Sequence, residues 1–521
     1  MNSCFIYFIE IYKIMSANSK LRDENYFVDD NSIISAGFLY WLKKTPNAIA
    51  IFVSGKSYTY KELFQLSFSV YQNIKHLKDE IIGVQCCDNI ESYAHILAVS
   101  FLGAAYLPLN SKFPIERISK ICEDAELKYV ICFNEEFHKI QSKNIKLIQS
   151  DFTFSKQNNQ SSEIDCSISN SEISYVLYTT GSTGEPKGVP VSRKNVNAFF
   201  KYYLNEYSFT PSDRFLQPYE LSFDVSVFSM FCAWNCGASV YVVPDKINKP
   251  IEIIKIIRNH QLTVVSMVPG VLQLLEKYLP EIHLPSVHYS FFSGDALKHS
   301  LAAMWKKCIP NSVIHNFYGP TETTIVCSRY IWEEENSQSE SMNDIVPIGK
   351  LFPDHFALLM DENGNCFLEQ GRAGELCIKG EQVINAYLKN KEAHRFFMHN
   401  QDIFYKTGDW VVLNENGNFV FLGRTDEQVK INGFRVELLE IEKVISNQYG
   451  FNNKVIAVEF NKIPQLVAFI QSTENENQLK ELNLNLPAYM FPKKVIYLQE
   501  FPYNSNGKID RKHLIKIANQ F

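Results

Sequence analysis

Up to residue 330 the chain alternates short apolar runs with segments of helical period. Residues 81–84, 128–133, 175–178, 239–243 and 263–267 read as strands, and 115–125 and 251–259 as helices. Such alternation argues for an α/β fold with largely parallel sheets. After residue 345 the texture changes. Two segments carry a strand, an Asn-Gly turn and a second strand, with DENG at 361–364 and NENG at 414–417. Beyond Gly423 a compact α+β tail follows, with a helix over 437–446 and strands over 455–460, 466–471 and 494–498. We expect a boundary near 424–426. A large body of stacked α/β subdomains (1–424) then precedes a small α+β C-terminal domain (425–521). The polar stretches 156–172 and 333–344 read as exposed loops.

Composition excludes several classes. The chain has 521 residues, 21% charged and 46% hydrophobic, which is globular. A net charge of −6 argues against a bulk nucleic-acid binder. The 12 cysteines contain no CxxC; the nearest pairs are Cys86 with Cys87 and Cys232 with Cys236, neither at zinc spacing. They read as buried free thiols of a reducing compartment. Residues 1–15 are apolar but lack a basic leading region and a cleavage site, so we expect translation to begin at Met15. The apolar stretches 93–109 and 225–243 are interrupted by His95 and Pro108, and by Asn235 and Gly237. They read as buried elements, which predicts a cytoplasmic protein without stable membrane insertion.

The segment YTTGSTGEPKG at 178–188 follows a strand and is dense in hydroxyls and glycines. Glycines let backbone N–H groups curl round phosphate oxygens, and Lys187 adds charge. A Walker loop needs Gly-x4-Gly-Lys-Ser/Thr. Counted from Gly181, Pro186 and Gly188 break that pattern, so this is a phosphate loop of another kind.

The loop resembles the signature of the adenylate-forming superfamily: acyl-CoA synthetases, luciferases and the adenylation domains of nonribosomal peptide synthetases. Companion motifs follow in order: TYKEL (59–63), GAAYLPLN (103–110), FDVS (223–226), NFYGPTE (316–322), GELCIKG (374–380), YKTGDW (405–410), GRTDEQVKINGFRVELLEIE (423–442), LPAYMFP (486–492) and NGKIDR (506–511). The wording is most similar to amino-acid-activating domains and D-alanine–carrier protein ligases.

The resemblance implies two steps. A carboxylate attacks the α-phosphate of Mg·ATP, giving an acyl-adenylate and pyrophosphate; a thiol then attacks the mixed anhydride, giving a thioester and AMP. Charge gathers at one phosphorus, so catalysis calls for cations, donors and positioning. By resemblance, Lys508 bridges the substrate carboxylate and the α-phosphate, Glu322 holds Mg2+, and Lys187 contributes to catalysis. Thr179, Thr180, Gly181, Ser182, Thr183, Gly184 and Lys187 belong to the phosphate site. Tyr318 stacks on adenine, Asn316 bonds its edge, Asp409 binds the ribose, Arg424 supports ribose and phosphates, and Gly294, Gly319 and Thr321 complete the nucleotide site. Asp426 is the hinge about which the small domain, acting as a cap, exchanges Lys508 for the segment around Gly433.

Asp224 carries the specificity. By resemblance it pairs with a substrate α-ammonium, and an Asp inside LSFDVSVF is costly unless paired. Carried over by position, the side-chain pocket comprises Val225, Phe228, Ser266, Phe291, Ser293, Phe317, Ile325 and Val326. Bulky Phe291 and Phe317, with no charged side chain, predict a small neutral substrate such as glycine, alanine or serine. The stretch 381–388 lacks the family's Arg-Gly before Tyr-Leu, and Asn432 stands where Arg is common. The chain ends about ten residues after NGKIDR, so we expect a phosphopantetheinylated carrier protein to act in trans. The competing readings are an acyl- or aryl-CoA ligase and a non-catalytic nucleotide-binding relative. The Lys508→Ala variant should lose pyrophosphate exchange yet still form thioester from supplied adenylate. Normal exchange would refute the role of Lys508.

Overall fold

The computed structural model describes residues 32–141, 144–150, 172–181, 185–246, 248–431, 433–460, 463–472, 484–503 and 509–520. The start at Met15, the loop 156–171, Ser182, Thr183, Gly184, Asn432 and Lys508 lie outside the described residues.

The apolar runs become strands, and the helical segments between them supply the crossovers that parallel pairing needs. One sheet has six strands in the order Lys146–Gln149, Tyr129–Cys132, Ile81–Cys86, Ala105–Asn110, Ile173–Thr179, Lys187–Ser192. Its pairs are parallel except the last, which is antiparallel. A second sheet of nine strands has a parallel centre running Val313–Tyr318, Tyr289–Phe292, Val264–Met267, Arg214–Gln217, Ser239–Val242, Ile49–Val53. The expected buried segment 93–109 is the helix Ile90–Phe101 running into the strand Ala105–Asn110. Among the described residues no helix is long and apolar enough to cross a membrane.

The two Asn-Gly segments form antiparallel hairpins in a third sheet, pairing His355–Met360 with Cys366–Phe367 and Asp402–Leu413 with Phe419–Arg424. The three sheets share one hydrophobic core, to which Val84, Phe215 and Leu376 all belong. The C-terminal segment packs separate cores, with Val436, Ile441, Val455 and Leu466 in one and Val467, Phe469 and Leu514 in another. Its helix Leu438–Tyr449 runs three residues beyond the expected end and stops at Gly450, whose φ of 73° suits a left-handed cap.

One expectation is corrected. The acidic stretch 333–344 is not wholly loop, because Glu334–Glu340 is helical. Glu334 and Glu335 sit in its first turn, where the helix dipole favours acids. The Glu333 amide donates to the Ser337 hydroxyl (2.8 Å), and Glu340 accepts from Asn414 (2.8 Å) and Asn418 (2.7 Å) of the distant hairpin. Those partners lie too far along the chain for local composition to reveal them.

The turn after Glu322 is strained. Thr324 and Ile325 adopt φ of 56° and 71°, a region that β-branched residues avoid at a cost of about 1–3 kcal/mol each. The buried Gln382 amide holds the turn by donating to the carbonyls of Thr323 (3.3 Å), Thr324 (3.1 Å) and Val326 (2.8 Å). The Thr324 hydroxyl returns a bond to the Gln382 carbonyl (2.6 Å). Gln382→Leu should therefore lower the unfolding free energy by about 1–3 kcal/mol, read as a reduced urea midpoint at unchanged slope. An unchanged midpoint would contradict this support.

Candidate active site

The carboxyl ends of the parallel strands converge on a cavity of about 350 Å³. That is where an open α/β sheet binds its ligands, and the volume suits a small molecule. Thr179 and Thr180 come from the end of Ile173–Thr179, Ser293 and Gly294 from beyond Tyr289–Phe292, and Tyr318, Gly319 and Thr321 from the end of Val313–Tyr318. Asp224 and Val225 enter at the start of the short helix Val225–Val227, Asp409 and Arg424 from the third sheet, and Gly433, Phe434 and Arg435 from the C-terminal segment. A Cβ on Gly181 would lie 2.4 Å from the Glu185 carbonyl oxygen, so glycine lets the loop close there.

At one end, Asp409 accepts the Tyr318 hydroxyl on Oδ2 (2.6 Å) and Arg424 Nη1 on Oδ1 (2.6 Å). The same guanidinium grips Asp426 through Nε (2.7 Å) and Nη2 (2.8 Å), and Arg395 adds a third bond (2.9 Å). Burial raises the Asp426 pKa, but the two guanidiniums outweigh it and hold the carboxyl well below its ordinary range. Asn316 does not line the cavity, and its amide nitrogen donates to the carbonyls of Pro347 (2.9 Å) and Val346 (3.4 Å).

Glu322 is fully buried next to Thr321 of the cavity wall, but neither it nor Lys187 lines the cavity. Its Oε1 accepts the Tyr387 hydroxyl (2.7 Å) and faces Lys187 Nζ at 3.5 Å, while Oε2 accepts Arg435 Nη1 (2.9 Å). Burial opposes ionisation, yet the Arg435 and Lys187 charges prevail and keep Glu322 well below the usual carboxylate range. Lys187 lies in the strand Lys187–Ser192, buried, and also donates to Glu392 (2.8 Å) and the Tyr387 hydroxyl (3.1 Å). Sequence reasoning missed Arg435, Tyr387 and Glu392. Arg435 and Tyr387 fall within stretches singled out above, so a buried charge or hydroxyl there was the available signal.

Asp224 is 8% exposed. Burial pushes its pKa up to about 7, with Glu322 adding to the rise and the Thr321 hydroxyl opposing it. Of the side-chain pocket, Val225, Ser293 and Ile325 line the cavity. Ser266 is hydrogen-bonded to the Tyr219 hydroxyl (2.9 Å). Phe228, Phe291 and Phe317 do not line the cavity; they pack on one another in the core, with Phe291 5.5 Å from Phe228 and 5.2 Å from Phe317 and with Tyr203 against the outer two. Val326 is buried beside them.

The C-terminal segment seats directly on this cavity. Gly433, with φ of 84°, approaches so closely that a Cβ would lie 2.6 Å from Val268 Cγ1. The Phe434 ring meets Phe223 edge-on at 5.2 Å and stacks on Tyr489 at 4.2 Å. Arg117 and Glu440, both buried, form an ion pair across the junction.

Residues 38–388 match the family model described as AMP-binding enzyme. The chain is 31% identical over 491 residues to zwittermicin A synthase ZmaJ of Bacillus cereus, covering 90% of this chain and 92% of that one. It is 30% identical over 497 residues to the D-alanine–D-alanyl carrier protein ligase of Bacillus licheniformis, covering 90% and 96%. The crystal structure of the Vibrio cholerae adenylation domain AlmE, in complex with glycyl-adenosine-5'-phosphate, superposes with a TM-score of 0.80 at 26% identity, covering 96% of this chain and all of that one. The match over most of the body, and relatives aligned nearly end to end, agree with the motif order and the strand-end cavity: the chain belongs to the AMP-binding enzyme family.

Proposed function

We propose that this enzyme uses ATP to activate a small neutral amino acid and passes it to the phosphopantetheine thiol of a carrier protein in trans. The observation that carries this reading is Asp224, a nearly buried carboxyl on the wall of a cavity that also presents Tyr318 and Asp409. Burial disfavours its charge, and a substrate ammonium beside it restores the balance. The bulk of the buried, mutually packed Phe228, Phe291 and Phe317 supports a short substrate side chain. The glycyl-adenylate in AlmE and the D-alanyl ligase name of the other relative support the same size class.

In the first step a carboxylate oxygen bonds to the α-phosphorus and pyrophosphate leaves. Asp224 fixes the ammonium, Tyr318 packs against the base, and Asp409 with Arg424 orients the ribose. Thr179 and Thr180 contribute donors at the phosphates, and Lys508 is assigned the bridging charge. In the second step the thiol sulfur attacks the carbonyl carbon and AMP leaves. We assign 1–424 to the body and 425–521 to a cap turning at Asp426, whose grip by Arg424 and Arg395 links the hinge to the ribose site. The ten described cysteines are free, which supports a cytoplasmic location.

Magnesium, when bound, would neutralise phosphate charge, and Glu322 is the residue that would hold it. A single ionised carboxylate fits a cation that draws its other ligands from phosphates and water. No cluster of three His, Cys, Asp or Glu side chains occurs among the described residues.

Pyrophosphate exchange over all amino acids, with free coenzyme A as an alternative acceptor, tests the substrate class. Glycine, alanine or serine should lead; preference for a charged or aromatic amino acid, or for a fatty acid, sinks the reading. Protonated Asp224 cannot pair with ammonium, so the amino-acid KM should rise as pH falls through about 7. Asp224→Asn should remove that dependence. It should also cost about 2–5 kcal/mol of binding, at least roughly 30-fold in kcat/KM. A pH-independent KM in the unmodified enzyme would contradict the pairing.

A further inference from the structure

We propose that Tyr219 is a specificity-determining residue: its ring closes the side-chain end of the cavity in front of Ser266 and so limits the substrate to the smallest side chains. This rests on the reading of the substrate as an amino acid held by Asp224, and it names the group that sets the size limit. Ser266 and Phe291 are register partners on the neighbouring strands Val264–Met267 and Tyr289–Phe292, so their side chains share a face of the sheet. Two residues further on, Val268 and Ser293 line the cavity, whereas Ser266 and Phe291 do not. The cavity therefore ends above that deeper step. Tyr219 stands there instead: it lines the cavity, and its hydroxyl shares a hydrogen bond of 2.9 Å with the Ser266 hydroxyl behind it.

The ring is held in place from both ends. Tyr219 follows the carboxyl end of the strand Arg214–Gln217, which pairs with Val264–Met267. Pro218 stiffens the backbone before it, and the Gln217 side-chain amide donates to the Tyr219 carbonyl (3.1 Å). Burial raises the pKa of the Tyr219 hydroxyl, hydrogen bonds with Ser266 and Ser293 oppose the rise, and the Asp224 charge adds to it. The ring thus presents a neutral, tethered hydroxyl near the carboxylate assigned to the substrate ammonium. A substrate held at Asp224 shares that end of the cavity with the ring. A hydrogen, methyl or hydroxymethyl group fits beside it. A longer chain has to displace a side chain anchored on two serines, and packed interiors tolerate such overfilling poorly.

Pyrophosphate exchange is measured on the full chain with glycine and with both enantiomers of alanine, serine, 2-aminobutyrate and norvaline. In the unmodified enzyme kcat/KM should fall beyond alanine by roughly tenfold or more per added carbon. Tyr219→Ala leaves more room than a propyl side chain needs, and should raise the norvaline-to-alanine ratio of kcat/KM by roughly tenfold or more. Tyr219→Phe keeps the ring and should keep the order. Folding of each variant is checked by its thermal midpoint. If Tyr219→Ala does not fold, Tyr219→Leu, too short to reach Ser266, is read in the same way. An unchanged ratio in the folded variant, loss of exchange with every amino acid there, or equal widening in Tyr219→Phe overturns the inference. If the unmodified enzyme still leads with glycine, alanine or serine in that case, the proposed function stands. If it prefers norvaline, or activates no amino acid, the proposed function fails and the role of Tyr219 with it.

Discussion

A buried carboxylate surrounded by cations organises this site. Glu322 is fully buried, so elements far apart in the chain supply its counter-charges and donor: Lys187 from the strand Lys187–Ser192, Tyr387 from the segment between the strands 373–380 and 396–399 of the third sheet, and Arg435 from the C-terminal segment, while Lys187 also pairs with Glu392. The pairs continue outward. Glu392 neighbours Arg395, Arg395 holds Asp426, and Arg424 joins Asp426 to Asp409. Removing one member of such a network leaves a charge buried without a partner, which costs far more than an exposed salt bridge contributes. Asp409, Asp426 and Glu322 are thus held in one electrostatic chain.

The backbone around Glu322 is built to the same end. Two β-branched residues at positive φ follow it, and the Gln382 amide satisfies three carbonyls of that turn. Strain held by surrounding hydrogen bonds is characteristic of sites where side-chain direction matters. The cap reaches the same place by a different device. A glycine that touches Val268, an aromatic pair and the Arg117–Glu440 ion pair seat it on the body. Its hydrophobic cores are separate from the core of the body.

The α/β body, the two hairpins and the C-terminal α+β tail were legible because each rests on local periodicity or on a turn that Asn-Gly favours. The motifs also pointed to Asp224, Tyr318, Asp409 and Arg424, all of which line one cavity. What was not legible depends on partners far along the chain. Arg435 lies 113 residues from Glu322, and Asn418 lies 78 residues from the Glu340 it anchors. The Asn316 amide nitrogen donates to two backbone carbonyls, which position in a motif does not disclose. Phe228, Phe291 and Phe317 read equally well as core or as pocket, and in the structure they pack edge-on and tilted in the core without lining the cavity.

The central claim is that an amino-acid carboxylate attacks the α-phosphorus of ATP in this cavity. The most direct measurement follows 18O from a carboxyl-labelled small amino acid, with hydroxylamine as the final acceptor. The account predicts one labelled oxygen in AMP and none in pyrophosphate. Label in inorganic phosphate with ADP as co-product, or AMP formed without label, would contradict it.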